Sequence, residues 1–253
     1  MPIEVAFVTG AGSGIGRATA VRLAERGADL GLFDLSAEGL AATAATARES
    51  GVRVLELSGN VSDESEVAAA VQSTAAELGP LRTAVAAAGI ELVGTTPATT
   101  LVDWKAILEV NLTGVFLTAK HVIPHLARHG EGAFVAVSSD AGIQGAQGFA
   151  AYCASKHGVI GLVRSLALDH GPEGVRCNAV CPGFVETPMA DRIFAGQPQS
   201  ERERWRRTVP LGRFARPEEV AEAIAHIASA QASYLNGHTY VLDGGGTAGY
   251  FDS

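Results

Sequence analysis

The chain has 253 residues, of which 47% are hydrophobic, enough apolar material for one large α/β domain or two small ones. A formal net charge of −8 argues against nucleic acid as a partner, because that role calls for a basic face. Three cysteines, Cys153, Cys177 and Cys181, cannot all pair with one another and lack metal-ligand spacing, which predicts reduced thiols and no metal site. No apolar run reaches the ~18 to 20 residues needed to cross a bilayer, and no secretion signal is recognisable. We therefore expect a cytoplasmic protein with no membrane partner.

Short apolar runs alternate with segments of helical periodicity along the chain. The predicted strands are residues 3–9, 29–33, 52–57, 81–87, 134–137, 175–180 and 239–242. The predicted helices are a first one ending at residue 26, then 36–50, 63–78, 101–128, one ending near 170, and 217–230. This alternation predicts a single α/β domain, a doubly wound parallel sheet with helices on both faces (Rossmann-type). Ligands of such sheets bind at the carboxyl ends of the strands.

The first strand runs into a glycine-rich turn, Thr9-Gly-Ala-Gly-Ser-Gly-Ile-Gly16, and then into a helix. This context predicts a cradle for the phosphates of a dinucleotide. Gly10 takes the tight turn, Gly14 lets backbone approach the diphosphate, and Gly16 permits close helix packing. Ser13 and Ile15 lie between them and are further candidates. The alternative is an ordinary strand-to-helix turn, which rarely needs so many glycines.

Asp34 ends the second predicted strand, about 20 residues beyond the glycines, where a carboxylate accepts hydrogen bonds from an adenosine ribose. A carboxylate there repels a 2′-phosphate, so the residue favours NAD over NADP. The alternative role for Asp34 is a helix N-cap, although Ser36 can fill that role. Arg17 lies on the first helical turn, where we expect it to face solvent, and it leaves the exclusion of NADP open.

The ends of later strands supply further candidates for the cofactor site. Asn60 and Val61 follow the third strand, and Ala87 and Gly89 end the fourth. For the stretch around Ala87, close backbone packing is an equally good interpretation. After the sixth strand come the cofactor-binding candidates Pro182, Gly183, Val185 and Thr187, the last of which could bind a nicotinamide carboxamide.

Tyr152 and Lys156 lie four residues apart near the start of a predicted helix, so their side chains share one face. A neighbouring ammonium favours the phenolate and is expected to lower the pKa of Tyr152, which would make it an acid or base near neutrality. Asn111 interrupts the helix predicted over 101–128 and is expected to mark a local irregularity, with a buried structural amide as the alternative. Ser139 follows the fifth strand at the ligand-binding edge.

Small, neutral residues connect the fifth strand to Tyr152 and predict a weakly polar substrate pocket. Gln144 and Phe149 are its candidate contacts from this side, with surface loop positions as the alternative. Phe184 and Met189 are candidates from the segment after the sixth strand. Residues 189–207 show no stable apolar periodicity, and we expect a mobile substrate lid at about 188–212. The two aromatic residues of the tail, Tyr250 and Phe251, suggest contact with another subunit.

Together, these residues resemble the short-chain dehydrogenase/reductase family in its single-domain form of about 250 residues. The resemblance covers nearly the whole chain and is carried by the glycine-rich run, Asn111, Ser139, Tyr152, Lys156, Pro182-Gly183 and Thr187. It implies a seven-stranded sheet and a homotetramer. It also implies that Tyr152 is the acid/base, that Ser139 binds the substrate oxygen, that Lys156 holds the nicotinamide ribose, and that Asn111 anchors a water in a proton relay.

The chain departs from the family pattern at two positions. Asn60 stands where the family commonly has an aspartate near the adenine ring, and Ala86 replaces the first asparagine of an Asn-Asn-Ala-Gly motif. Asn60 can still accept a hydrogen bond through its carbonyl oxygen, whereas the loss of an asparagine at Ala86 removes a side-chain tie to neighbouring backbone, so we expect weaker cofactor binding.

The predicted reaction is hydride transfer between NAD and a secondary alcohol or its ketone. One alternative is an NADPH-dependent reductase of 3-oxoacyl thioesters. Another is an NAD-sensing protein without catalysis. The identity of the substrate stays open.

Overall fold

The computed structural model describes residues 5–250 and contains one sheet of seven parallel strands in the order β3-β2-β1-β4-β5-β6-β7. The strands are β1 (Val5–Thr9), β2 (Asp29–Asp34), β3 (Val54–Ser58), β4 (Thr83–Ala86), β5 (Gly132–Val137), β6 (Val175–Pro182) and β7 (Thr239–Leu242). The predicted doubly wound sheet and single domain are confirmed. Strand order reverses between β1 and β4, which is where ligands bind in such sheets.

Helices cover both faces of the sheet. They are α1 (Gly14–Glu25), α2 (Ala37–Arg48), α3 (Glu64–Leu78), α4 (Leu101–Leu108), α5 (Gly114–Ala127), α6 (Ala150–His170), α7 (Pro188–Ile193), α8 (Gln199–Arg207) and α9 (Pro217–Ala228). Side chains alternate along β1, so Val5 and Phe7 pack into the core formed with α3, α5 and α6. Ala6 and Val8 pack into the second core, formed with α1, α2 and α9. The five inner strands are thus buried on both faces, as parallel strands usually are, while the edge strands β3 and β7 are partly exposed.

The helix predicted over 101–128 is broken by a π-helical turn at Glu109–Thr113, which separates α4 from α5. The irregularity predicted at Asn111 is therefore confirmed. The expectation that no apolar segment is long enough to cross a membrane is wrong, because the stretch Leu101–Ala127 meets that criterion by length and composition. Half of its most apolar 18-residue stretch is buried. Residues such as Val115 and Val122 pack in the core formed with α3 and α6, as in a core helix of a globular domain.

Residues 189–207, which show no apolar periodicity in the sequence, lie mostly in two short helices, α7 and α8. Helix α8 is held by ion pairs one turn apart, Glu201 with Arg204 at 3.2 Å and Glu203 with Arg206. Such pairs stabilise a helix that has no apolar stripe, which explains why periodicity did not reveal it. The predicted tail contact involves Phe251, which lies outside the described residues, and Tyr250, which is fully exposed.

Candidate active site

The turn between β1 and α1 is too tightly packed to hold side chains at its glycines. A Cβ at Gly10, whose φ is +68°, would lie 2.6 Å from the backbone nitrogen of Ala88 at the end of β4. A Cβ at Gly16 would lie 2.0 Å from the carbonyl oxygen of Gly10, so only glycine lets α1 begin against the turn. Gly14 has a φ of +51°, which other residues rarely adopt. The backbone is thereby exposed at the sheet edge, as close approach of a phosphate group requires.

The Asp34 carboxylate closes one end of this turn. It accepts hydrogen bonds from the backbone nitrogens of Gly12 at 2.8 Å and Ser36 at 2.9 Å. Ser36 itself caps α2, accepting from the nitrogen of Gly39 at 3.0 Å, so the helix cap does not depend on Asp34. Arg17 is exposed, as expected, and its guanidinium also binds the turn. Its guanidinium donates to the carbonyl of Gly12 at 2.6 Å and to Thr43 Oγ1 at 3.1 Å, which fastens the turn to α2.

A cavity of about 280 Å³ opens in front of the turn and of Asp34. We call it the cofactor cavity. Eleven of the predicted cofactor residues line it: Gly10, Ser13, Gly14, Ile15, Gly16, Asp34, Asn60, Val61, Ala87, Gly89 and Thr187. The described residues thus fit a dinucleotide, because an extended cavity with bare backbone at its centre has a carboxylate at one end.

A local hydrogen bond is found at or beside each of the two positions that depart from the family pattern. Asn60 Oδ1 accepts a hydrogen bond from the backbone nitrogen of Ser62 at 2.9 Å, so this oxygen is already used within its own loop. Next to Ala86, the backbone nitrogen of Ala88 lies 3.4 Å from Thr9 Oγ1 at the end of β1. The Thr9 hydroxyl therefore supplies a side-chain tie between β1 and β4 at this edge.

Asn111 is fully buried in the π-helical turn. Its Oδ1 accepts from the backbone nitrogen of Ile90 at 2.8 Å, and its Nδ2 donates to the carbonyl of Ile90 at 2.9 Å and to Ser155 Oγ at 3.2 Å. The wider turn lets this side chain reach out of the helix to the loop after β4. The amide is therefore fixed between that loop and α6, and it lines neither cavity.

Helix α6 brings Tyr152 and Lys156 to the end of β5, where Ser139 lies. Lys156 is almost completely buried, and its Nζ donates to the carbonyl of Val137 at 2.9 Å while lying 5.6 Å from the centre of the Tyr152 ring. Ser139 Oγ donates to the carboxylate of Asp140 at 2.8 Å. The structure thus brings three of the four predicted catalytic side chains together at one edge of the sheet, with Asn111 directly behind them.

The pKa of Tyr152 is raised, not lowered. Burial is the main cause, the carboxylates of Asp140 and Glu91 add to it, and a hydrogen bond with Ser139 acts in the opposite direction. Burial also lowers the pKa of Lys156 to about 8. The expectation that Lys156 lowers the pKa of Tyr152 is therefore wrong for the protein without a cofactor. Burial disfavours the charged form of both side chains at the same site.

A second cavity, of about 320 Å³, opens in front of Tyr152, and we call it the substrate cavity. The predicted substrate residues all line it: Gln144, Phe149, Phe184 and Met189. So do the predicted cofactor or catalytic residues Ser139, Tyr152, Lys156, Pro182, Gly183 and Val185. Ile15, Ala87, Gly89, Thr187 and Met189 line both cavities, which places the junction between them next to the tyrosine.

Sequence reasoning missed several lining residues, among them the charged Glu91 and Asp140 and the aromatic Trp205. Asp140 directly follows Ser139, and Glu91 lies five residues past the end of β4, so both occupy the ligand-binding edge and could have been found by position. Burial raises the pKa of Asp140. Trp205 lies on α8 and gave no such signal, because nothing in the sequence places that helix near the sheet.

Helices α7 and α8 cover the substrate cavity and are packed against the domain through aromatic rings. Phe184 contacts Phe194, Trp205 and Phe214 with ring centres 5.0 to 5.8 Å apart. The guanidinium of Arg202 lies over two of these rings, at 5.7 Å and 5.8 Å from their centres. These stacking and cation–π contacts hold α7 and α8 against the rest of the domain.

Together, the fold and its two cavities define a class: a doubly wound protein that binds a dinucleotide at the switch point of its sheet and a second molecule beside it. The family described as "Enoyl-(Acyl carrier protein) reductase" matches residues 10–247. The chain belongs to the short-chain dehydrogenase/reductase family, whose members are oxidoreductases that use a nicotinamide cofactor.

Individual relatives match over nearly the whole chain. The chain is 45% identical over 246 residues to cis-4-hydroxycyclohexanecarboxylate dehydrogenase of Sinomonas cyclohexanicum, covering 97% of each protein. The crystal structure of levodione reductase superposes with a TM-score of 0.95 at 37% identity, covering 99% of this chain and 100% of that one. A variant of actinorhodin polyketide ketoreductase, solved with NADPH, gives a TM-score of 0.91 at 36% identity and covers 96% and 97%.

Proposed function

We propose that the protein is an NAD-dependent oxidoreductase that transfers hydride between a secondary alcohol or its ketone and NAD(H). The observation that carries this proposal is that Ser139, Tyr152 and Lys156 line the substrate cavity, which shares wall residues such as Gly89 and Thr187 with the cofactor cavity. Relatives named as a hydroxycyclohexanecarboxylate dehydrogenase and a levodione reductase support the same reaction class.

In this proposal Tyr152 is the acid/base. Its phenolic oxygen takes the hydroxyl proton of an alcohol during oxidation and returns it to the oxygen of a ketone during reduction. Ser139 Oγ orients the same substrate oxygen by a hydrogen bond, and the neighbouring Asp140 carboxylate competes for the hydroxyl hydrogen of Ser139. The apolar walls of the substrate cavity limit the access of water to this proton transfer.

Lys156 and Asn111 support the tyrosine. The Lys156 ammonium favours the phenolate electrostatically and is held in place by the Val137 carbonyl, close to Gly89, which lines both cavities. Asn111 fixes the loop after β4 against α6, and we assign to it the anchoring of a water between Lys156 and solvent. When bound, the oxidised nicotinamide would accept the hydride and bring a positive charge that lowers the pKa of Tyr152.

The cofactor is assigned as NAD because Asp34 closes the cofactor cavity. Its carboxylate would accept from the hydroxyls of an adenosine ribose and would repel a 2′-phosphate. The glycine-rich turn would hold the diphosphate, Asn60 and Val61 the adenine, and Thr187 with the backbone of Pro182, Gly183 and Val185 the nicotinamide end. Phe149, Phe184, Met189 and Gln144 would contact the substrate.

A second candidate is an NADPH-dependent reductase of 3-oxoacyl thioesters. The family description and the NADPH-bound polyketide ketoreductase favour it, as does Arg17, whose guanidinium binds the turn beside Asp34. We further propose that α7 and α8 act as a substrate lid at about 188–212, and that the protein is a cytoplasmic homotetramer.

The test is NADH formation by the purified protein across a panel of neutral secondary alcohols, run in parallel with NAD and NADP. We expect turnover with NAD that Tyr152→Phe lowers by about 10²- to 10⁴-fold. Tyr234→Phe is the matched control, because that phenol is fully exposed and far from both cavities. Near wild-type turnover by a folded Tyr152→Phe protein would refute the role of the tyrosine. NAD binding without turnover on any alcohol or ketone would favour a sensing protein.

A further inference from the structure

The charged groups of the substrate cavity are unevenly distributed. Among its described lining residues, the charged side chains are Glu91, Asp140 and Lys156, two carboxylates and one ammonium. The ammonium is held by the Val137 carbonyl at the inner end, beside the tyrosine. The rest of the cavity is walled by neutral side chains, which are Gln144, Gln147, Phe149, Met189, Ile193 and Trp205. An anion entering this cavity would meet more negative than positive charge.

Glu91 is the more unusual of the two carboxylates. Its side chain is only 12% exposed, and both of its oxygens bind one guanidinium: Arg192 Nε lies 2.7 Å from Oε1 and Nη2 lies 3.1 Å from Oε2. Arg192 comes from α7, lines the cofactor cavity and has a side chain that is 59% exposed. This bidentate pair therefore joins the two cavities, because Glu91 lines the substrate cavity and Arg192 lines the cofactor cavity.

We propose that Glu91 is a specificity-determining residue that restricts the substrate cavity to neutral, largely apolar alcohols and ketones and rejects carboxylates. This inference rests on the proposed function, since it names the substrate class of the same site. Glu91 acts in two ways: it places negative charge on the cavity wall, and it holds the Arg192 donors that would otherwise bind a carboxylate. A carboxylate buried here without a cation would lose its water and gain no partner.

The probes are two alcohols of the same shape, a 4-hydroxycyclohexane ring that carries either a carboxylate or a neutral carboxamide. At pH 8 with saturating NAD, we expect the wild-type protein to oxidise the carboxamide with a kcat/KM at least about tenfold higher. Glu91→Gln should lower this preference about fivefold, mainly through a lower KM for the carboxylate, because the amide no longer holds both Arg192 donors.

Arg192→Gln should change the preference in the opposite direction, because it leaves the charge of Glu91 without its partner. General damage to the site would instead move both variants in the same direction. The matched control is Glu201→Gln, which removes a carboxylate from α8 that pairs with Arg204 and does not line the cavity. We expect this control to retain the wild-type preference.

Equal or better use of the carboxylate by the wild-type protein would overturn the inference while leaving the proposed oxidoreductase function intact. An unchanged preference in Glu91→Gln would overturn the role of that residue. If neither alcohol is oxidised, calorimetric titration of the NAD-loaded protein with cyclohexanecarboxylate and cyclohexanecarboxamide decides. Preferential binding of the carboxamide would then support the inference although the proposed reaction had failed, and equal or tighter binding of the carboxylate would refute it.

Discussion

The cofactor cavity is shaped mainly by backbone, whereas the substrate cavity is shaped mainly by side chains. At the first, Gly10, Gly14 and Gly16 have either a left-handed conformation or no space for a Cβ. At the second, the walls come from the loop before α6 and from α7 and α8, whose side chains meet only in the folded protein. Few substitutions are compatible with a cavity that is formed by tightly packed backbone. In a cavity formed by side chains, substitutions can alter which ligand binds while the fold is retained. The three predictions below test this contrast.

The largest effect is expected at Gly16. Gly16→Ala would place a Cβ 2.0 Å from the carbonyl oxygen of Gly10, and since neither backbone segment can move independently, we expect a loss of about 3 to 4 kcal/mol in the free energy of unfolding. Thermal unfolding and calorimetric NAD titration measure the effect. Gly145→Ala is the matched change in the substrate cavity, where an added Cβ meets no described atom within 4 Å, and should stay within about 0.5 kcal/mol. Similar losses in both variants would remove the contrast.

Lys156 lies at the inner end of the substrate cavity and is expected to reduce stability at neutral pH. Burial lowers its pKa from 10.5 to about 8. Between pH 8 and 10.5 the unfolded chain binds a proton that the folded protein does not, so this group makes stability rise with pH in that window. Below pH 8 the folded protein carries a buried charge, which costs about 3 kcal/mol.

Lys156→Met should therefore raise the unfolding temperature at pH 7, lose its advantage as the pH rises from 8 to 10.5, and lose turnover. Unfolding temperatures measured across this range test the sign. Lys120→Met, which changes an exposed lysine paired with Glu64, is the control and should not show this pH dependence. Parallel pH curves for wild type and Lys156→Met would contradict the prediction.

The smallest of the three effects is expected at Asp34. Asp34→Asn should lower the ratio of kcat/KM for NAD to that for NADP by about tenfold, because it removes the negative charge that repels a 2′-phosphate. The effect is limited, since the amide oxygen can still accept from the nitrogen of Gly12. Asp29→Asn makes the same change at the other end of β2 and should leave the ratio unchanged. If the wild-type protein saturates with NADP at a lower concentration than with NAD, the NAD assignment is wrong.

The same contrast explains what could be predicted from the sequence. Some residues are of a type that the surrounding secondary structure usually avoids, and these could be assigned to the site from the sequence. They are the glycines of the β1–α1 turn, the aspartate at the end of β2 and the asparagine within an apolar helix. The doubly wound sheet was predicted from the alternation of strands and helices, and the irregularity at Asn111 from such a signal, whereas the strand order and the π-helical form of the irregularity came from the structure. Residues that line the substrate cavity from the segment after β6 were predicted only as far as Met189 at the start of α7, whereas Ile193 and Trp205 further along were not.

Other features depend on surroundings that a sequence does not display. The raised pKa of Tyr152 comes from burial, which outweighs the neighbouring charge that the spacing reveals. Helix α8 is stabilised by ion pairs one turn apart, and it lacks the apolar stripe used to recognise helices. The pairing of Glu91 with Arg192 joins residues 101 positions apart, and neither residue is unusual in its local context.

Asn111 binds both the backbone nitrogen and the carbonyl of Ile90, as a neighbouring strand would do. One side chain thereby extends the pairing of the sheet beyond the end of β4 and sets the position of the next residue, Glu91. Because that carboxylate holds Arg192, which lines the other cavity, the pair that joins the two cavities depends on an amide that lies in neither of them. If Glu91 selects the substrate as we propose, the Asn111 amide aligns the residue that makes this selection.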